Sequence, residues 1–158
     1  MSVLILDFGS QYSRLIARRI RELSAYSILL PGTVQIDRIK KETPDAIILS
    51  GSPKSVFEVN APLPDPGIYE LGIPVLGICY GMQLLAHRFG GDVADAGTRS
   101  YGADHLTHHE GCLFKGLSGR LPVWMSHASS LQRLPEAWQS IASTEQIPMQ
   151  PLPRLTIA

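Results

Sequence analysis

Cys79 is the side chain with the clearest chemical setting in this sequence. It stands in Val75-Leu76-Gly77-Ile78-Cys79-Tyr80-Gly81-Met82-Gln83, a short apolar run that breaks at a cysteine framed by glycines and resumes with helical spacing. That is the layout of a nucleophile elbow, in which a strand ends, the chain turns sharply and a helix begins, so the neighbours of the reactive side chain must be small. Gly77 and Gly81 are those neighbours. At a helix N-terminus the unpaired N–H groups and the positive end of the dipole favour thiolate over thiol, and a lowered pKa is the expectation. A thiolate attacking a carbonyl creates an oxyanion, which two backbone N–H groups can hold. Tyr80, the residue after the cysteine, supplies one. The turn Ser50-Gly51-Ser52-Pro53 is a candidate for the second, because glycine permits close backbone approach. Cys112 lacks such a frame and reads as a small core hydrophobe.

The elements that must position these residues follow from periodicity. Val3 to Asp7, Tyr26 to Leu30, Asp45 to Leu49 and Val75 to Ile78 are apolar runs of strand length. Between them Tyr12 to Leu23 repeats Leu15, Ile16, Ile20 and Leu23 at helical spacing, and a weaker helix is expected over Val34 to Lys41. Met82 to Phe89 reads as a helix with Met82, Leu85, Ala86 and Phe89 on one side. Strands alternating with helices imply an α/β fold, a mostly parallel sheet with helices on both faces. In such sheets ligands bind outside the carboxyl ends of the strands, so Asp7, Ser50-Gly51 and Cys79, each at a strand end, are expected to converge. Beyond Gly90-Gly91 the pattern changes to short segments, Asp92 to Ala96, Tyr101 to Leu106, Val123 to Ser126 and Ser140 to Ser143, read as ribbons and late strands. Pro62 to Gly67 reads as a surface loop.

Composition narrows the classes. At 158 residues the chain has the length of one domain and can bury about 70% of its unfolded surface. Two cysteines without CxxC or zinc spacing indicate a reduced, cytoplasmic setting with no disulfide framework and no metal. The start has no basic leader, and no run reaches the roughly 20 apolar residues of a membrane helix. Fourteen basic and fourteen acidic residues cancel, which suggests neither nucleic acid nor an anionic membrane as partner. Arg14, Arg18, Arg19 and Arg21 read as a solvated helix face.

On these residues the chain resembles the class I glutamine amidotransferase family, most closely its GMP synthase branch. Leu4-Ile5-Leu6-Asp7-Phe8-Gly9-Ser10-Gln11-Tyr12 is similar to that branch's opening motif and Gly77 to Gln83 to its nucleophile motif. Val123-Trp124-Met125-Ser126-His127 and Ile141-Ala142-Ser143-Thr144-Glu145 resemble its later strands, and Arg99-Ser100-Tyr101-Gly102 the segment before its edge ribbon. The resemblance spans residues 1–147, an amidotransferase domain with a flavodoxin-like sheet, and leaves 148–158 as a divergent Pro-rich tail. It implies that Cys79 attacks the side-chain amide of glutamine, that the amides of Tyr80 and Ser52 form the oxyanion hole, and that Gly51, Gln83, Ser126 and His127 line the glutamine pocket. Ammonia would pass to an ATP-pyrophosphatase (synthetase) domain or subunit that acts on xanthosine monophosphate. No cofactor is implied in the amidotransferase domain; ATP and Mg belong to the synthetase.

The resemblance has departures. The family commonly has glycine where Ser52 stands, and continues Ser-His-Gly-Asp where this chain has Ser126-His127-Ala128-Ser129. Its catalytic histidine and glutamate follow the Ala-Ser-Thr-Glu segment, whereas no histidine follows His127 here. From about Met149 the likeness stops, as in a truncated or frame-shifted gene, leaving the C-terminal part of the fold incomplete and turnover weak or absent. His108 and Glu110 share the His-x-Glu spacing but read as a solvated turn. Two other readings stand beside the glutaminase: a non-catalytic remnant or binding module of the same fold, and a flavodoxin-like cysteine redox protein or hydrolase.

Overall fold

A computed structural model describes residues 1–108, 112–136 and 138–144. The chain divides into two compact units, the first built from residues 1–85 and the second beginning at residue 86.

The first unit holds β1 (Ser2–Asp7), α1 (Ser13–Glu22), β2 (Tyr26–Pro31), α2 (Ile36–Glu42), β3 (Ala46–Leu49) and β4 (Val75–Gly77), and it includes the start of α3 (Tyr80–Arg88). The four strands form one parallel sheet in the order β2-β1-β3-β4. Leu4, Ile5 and Leu6 are consecutive and fully buried. Because successive strand residues point to opposite faces, both faces of β1 are covered. Each such side chain contributes roughly 1.5–3 kcal/mol. Ser27 Oγ donates to Ala17 O at 3.0 Å, tying β2 to α1. The basic cluster of α1 is exposed as expected, with Arg18 and Arg19 both paired to Glu22.

The strand order fixes where a ligand can enter. From β1 the chain passes to β2 on one side and afterwards to β3 on the other, so the crevice between connections lies at the carboxyl ends of β1 and β3. Residues 8–12 and 50–53 are the segments there.

Pro62 to Gly67 is more than the expected surface loop. Pro64 is buried, and a 3-10 turn over Pro66–Glu70 places Ile68 in the core. Asp65 caps it, accepting from Gly67 N at 3.0 Å and from Ile36 N, the first residue of α2, at 2.9 Å.

The second unit contains two long antiparallel strands, β5 (Asp92–His108) and β6 (Arg120–Arg133), with β7 (Ala142–Thr144) on the other side of β5. The sequence pattern divides them into shorter segments. The pairing continues through register shifts between Asp92 and Val93 and between Asp95 and Ser100, so the glycines of β5 interrupt the pattern without ending the strand. Val93 and Leu131, opposite one another, are buried. Among the described residues no helix is long and apolar enough to cross a membrane.

Candidate active site

Backbone geometry makes the elbow. The ladder between β3 and β4 runs one bond past the strand end, Ile78 N donating to Leu49 O at 2.9 Å. Cys79 then takes φ +54, the left-handed region that costs a non-glycine residue roughly 1–2 kcal/mol. Next, Gly81 N donates to Ser50 O at 3.1 Å and to Ile78 O at 3.0 Å. A Cβ on Gly77 would lie 2.5 Å from Met82 N, and one on Gly81 would lie 2.3 Å from Leu49 O. Both obstacles are backbone atoms that cannot swing aside, so the two glycines are steric requirements of the turn.

Serines join the segments around it. Ser50 is fully buried; its Oγ accepts from Phe8 N at 3.1 Å and donates to Gly51 O at 3.0 Å, linking the ends of β1 and β3. Asp7 Oδ1 accepts from Gly9 N at 2.9 Å and from Ser13 Oγ at 2.7 Å, which folds residues 8–12 back on β1. Ser10 Oγ accepts from Tyr12 N at 3.1 Å. Gly51 lies between the segments: a Cβ placed on it would be 3.5 Å from Ser10 Oγ and 3.6 Å from Cys79 Cβ. Ser52 follows, its Oγ accepting from Lys54 N at 3.2 Å.

Tyr80 anchors the helix start. Its buried ring packs 5.6 Å from that of Phe8, and its hydroxyl donates to Pro62 O at 2.8 Å. Burial, reinforced by the charge of Glu58 and by Tyr69, pushes its pKa up to about 12, so the phenol keeps its proton and that bond through neutral pH.

The charge state of Cys79 departs from expectation. Residue 79 is exposed, yet burial of the thiol among its neighbours pushes its pKa up, and the hydrogen bond from Tyr80 N–H only partly opposes this. Removing the sulfur from water disfavours the anion more than one N–H favours it. The elbow therefore holds a thiol with a donor already aimed at the charge that appears on ionisation.

Of the residues singled out from sequence, Cys79, Tyr80, Gly51 and Ser52 lie together at the carboxyl ends of β3 and β4. Gln83 is buried one turn into α3, its N–H donating to Cys79 O at 3.1 Å. Ser126 and His127 lie on β6 in the second unit, opposite Tyr101 and Ser100; their side chains, and that of Cys112, are outside the described residues. His108 is not in a solvated turn. It ends β5 opposite Ala142, stacks on Phe114 with ring centroids 4.4 Å apart and hydrogen-bonds Ser118 O; Glu110 is outside the described residues. Sequence reasoning missed the parts played by the hydroxyls of Ser10 and Ser50. The available signal was a small polar residue just beyond each strand end, where backbone groups need partners. Among the described residues no three potential metal ligands gather.

The model of the class-I glutamine amidotransferase family matches residues 4–150. The chain belongs to that family. The glutamine-hydrolysing GMP synthase of Thermus thermophilus is 54% identical over 147 residues, covering 93% of this chain and 29% of the relative. That of Campylobacter lari is 48% identical, covering 92% and 29%. The chain thus spans less than a third of the length of these curated relatives, the amidotransferase portion. A solved protein of Thermoplasma acidophilum, described as one of the subunits of a GMP synthase, superposes with a TM-score of 0.80 at 28% identity, covering 92% of this chain and 73% of that one. A glutamine amidotransferase of Thermotoga maritima, 20% identical with a TM-score of 0.70 over 95% of this chain and 70% of that one, shares the fold. The amidotransferase fold expected from sequence is the fold observed.

Proposed function

We propose that this chain is the glutaminase part of a GMP synthase, with Cys79 as nucleophile. The observation that carries the reading is the elbow itself: a cysteine at φ +54, a helix starting at the next residue, and the Tyr80 N–H directed at the sulfur. In the proposed reaction Cys79 Sγ, losing its proton, bonds to the side-chain carbonyl carbon of glutamine. The oxyanion rests on the N–H groups of Tyr80 and Ser52. Its collapse breaks the C–N bond, ammonia leaves with the proton, and water cleaves the thioester to glutamate. Gly51 leaves room for the amide, while Gln83 contacts the rest of the substrate. Ammonia is passed to an ATP-pyrophosphatase partner, where ATP and Mg activate xanthosine monophosphate, in the cytoplasm.

Proton transfer is the weak step. The resemblance assigns it to a histidine oriented by a glutamate, and no histidine follows His127 in these 158 residues. Losing a triad member typically costs about 10⁴–10⁶ in kcat. The 158-residue polypeptide is therefore expected to react covalently with a glutamine-shaped electrophile yet release little ammonia from glutamine. A chloromethyl ketone analogue of glutamine tests the first half: peptide mapping should find the adduct on Cys79, and Cys79→Ala should abolish it. An ammonia-release assay with the same control tests the second. Turnover at an ordinary enzymatic rate, lost in Cys79→Ala, would show that another group acts as base; labelling centred on Cys112 would remove Cys79 as the nucleophile.

A further inference from the structure

We infer that Ser10 is a substrate-positioning residue, its hydroxyl bordering, with Cys79, the notch at Gly51 that receives the amide. This rests on the proposed reading of Cys79 as a nucleophile toward glutamine. Gly51, which has no side chain, separates the two residues. The position its Cβ would occupy is 3.6 Å from Cys79 Cβ, 3.5 Å from Ser10 Oγ and 3.8 Å from Ser10 Cβ. The notch left by the missing carbon is thus flanked by the nucleophile's side chain and by a hydroxyl. These are ordinary contact distances, so a methyl-sized group fits the notch without displacing either side chain.

Ser10 is suited to meet such a group. A serine hydroxyl has one proton and two lone pairs. One lone pair is taken by Tyr12 N–H at 3.1 Å, and among the described residues nothing accepts the proton. A donor and an acceptor site thus remain on one atom. A carboxamide matches that combination, since it presents a carbonyl acceptor and N–H donors on two atoms bonded to one carbon, whereas a carboxylate presents acceptors alone. The hydroxyl is also held in place. Ser10 is half-buried, and its loop is fixed by Asp7 bonding Gly9 N and Ser13 Oγ and by Ser50 Oγ receiving Phe8 N. The opening loop therefore contributes to the site through Ser10 as well as supporting the sheet.

The test compares two electrophiles on the full 158-residue chain. Iodoacetamide, which lacks the amino-acid end of the substrate that seats it, reports the intrinsic reactivity of Cys79, and the chloromethyl ketone analogue of glutamine, whose carbonyl can accept the Ser10 proton although it has no N–H, reports reactivity that depends on seating; in both, the S–C bond forms as halide leaves. Ser10→Ala is expected to slow the ketone about five- to ten-fold, the effect of losing one hydrogen bond to substrate, while leaving iodoacetamide labelling within about two-fold. Ser10→Thr keeps Oγ and should recover most of the ketone rate. Ser13→Ala loosens the same loop through Asp7 without touching the hydroxyl of Ser10, so it should lower the melting temperature while preserving the ratio of the two rates. If Ser10→Ala folds poorly, Ser10→Thr and Ser13→Ala still decide the matter by that ratio. Equal slowing of both electrophiles in Ser10→Ala, or the same ratio change in Ser13→Ala, would reduce Ser10 to a structural role and overturn the inference. Undiminished ketone labelling in Ser10→Ala would overturn it while leaving the glutaminase reading intact. A wild-type chain that reacts with iodoacetamide but not with the ketone would overturn both.

Discussion

The elbow of the first unit and the long ribbon of the second need glycine for opposite reasons. In the parallel sheet unit, Gly77 and Gly81 are needed because the backbone of the adjoining segment occupies the space of a side chain. In the antiparallel unit, Gly102 has nothing within 4 Å of its would-be Cβ, and it is needed because its φ is +120. The first kind of constraint is tertiary, brought about by packing a helix start against the end of β3. The second is local, a twist in a long ribbon. Positional precision at Cys79 thus comes from contacts with other elements, whereas the ribbon's irregularities are absorbed within its own pairing.

Substitution of these glycines separates the two kinds of constraint. Gly81→Ala forces a methyl against Leu49 O, and neither backbone segment can yield without opening the β3–β4 ladder. The expected destabilisation is about 3 kcal/mol or more, with loss of Cys79 labelling, measured by denaturant unfolding and by the ketone probe. Gly102→Ala meets no atom and carries only the strained φ, so about 1–2 kcal/mol is expected, with Cys79 labelling unchanged. If Gly102→Ala proves the more damaging, the contrast between contact and conformation fails.

The same contrast accounts for what the sequence disclosed. In the first unit the strands were legible because each is a short, mostly apolar run closed by a turn residue, most strictly at β1, where burial on both faces enforces the pattern. The elbow was legible because steric necessity leaves only glycine at positions 77 and 81. In the second unit Gly97 looks like the end of the Asp92 to Ala96 strand, and only the pairing partner on β6 decides that the chain continues. Ser10 was hard to identify for a related reason: its significance lies in its distance from Gly51 and Cys79, residues 41 and 69 positions away, which no local pattern encodes. The charge state of Cys79 was misjudged because the helix terminus is visible in sequence and the burial opposing it is not.

Cys79 offers a smaller test at the junction of both effects. Its left-handed backbone is strained, so Cys79→Gly should relieve it, raising stability by up to about 1 kcal/mol after the entropy cost of glycine, while removing the adduct from this position. For the wild-type thiol, burial raises the pKa, which makes the neutral form dominant at pH 7. The iodoacetamide rate should therefore climb about tenfold per pH unit through 7 and 8 and keep climbing past the range in which a free cysteine levels off. A plateau near pH 7 would instead indicate a stabilised thiolate.

The smallest effect is expected at Asp65, which joins the start of α2 to the 3-10 turn of the first unit. Its two carboxylate oxygens accept from Gly67 N and Ile36 N, and those bonds hold its pKa below the ordinary 3.8. Since the folded value lies below the unfolded one, an unfolded chain takes up the proton first as pH falls; the stabilisation is whole above about pH 5 and disappears as pH drops through the folded value. Asp65→Asn retains one acceptor oxygen and should melt slightly below wild type at neutral pH, Asp65→Ala retains none and should melt lower still, and the gap between wild type and Asp65→Ala should close in acid. Because the carboxylate of Asp65 bonds Gly67 N and Ile36 N and no group of the elbow, Cys79 should label at close to the wild-type rate in both variants. A gap that stays constant from pH 7 to pH 3 would mean that the carboxylate's charge contributes nothing to this junction and that packing of Ile68 alone holds it.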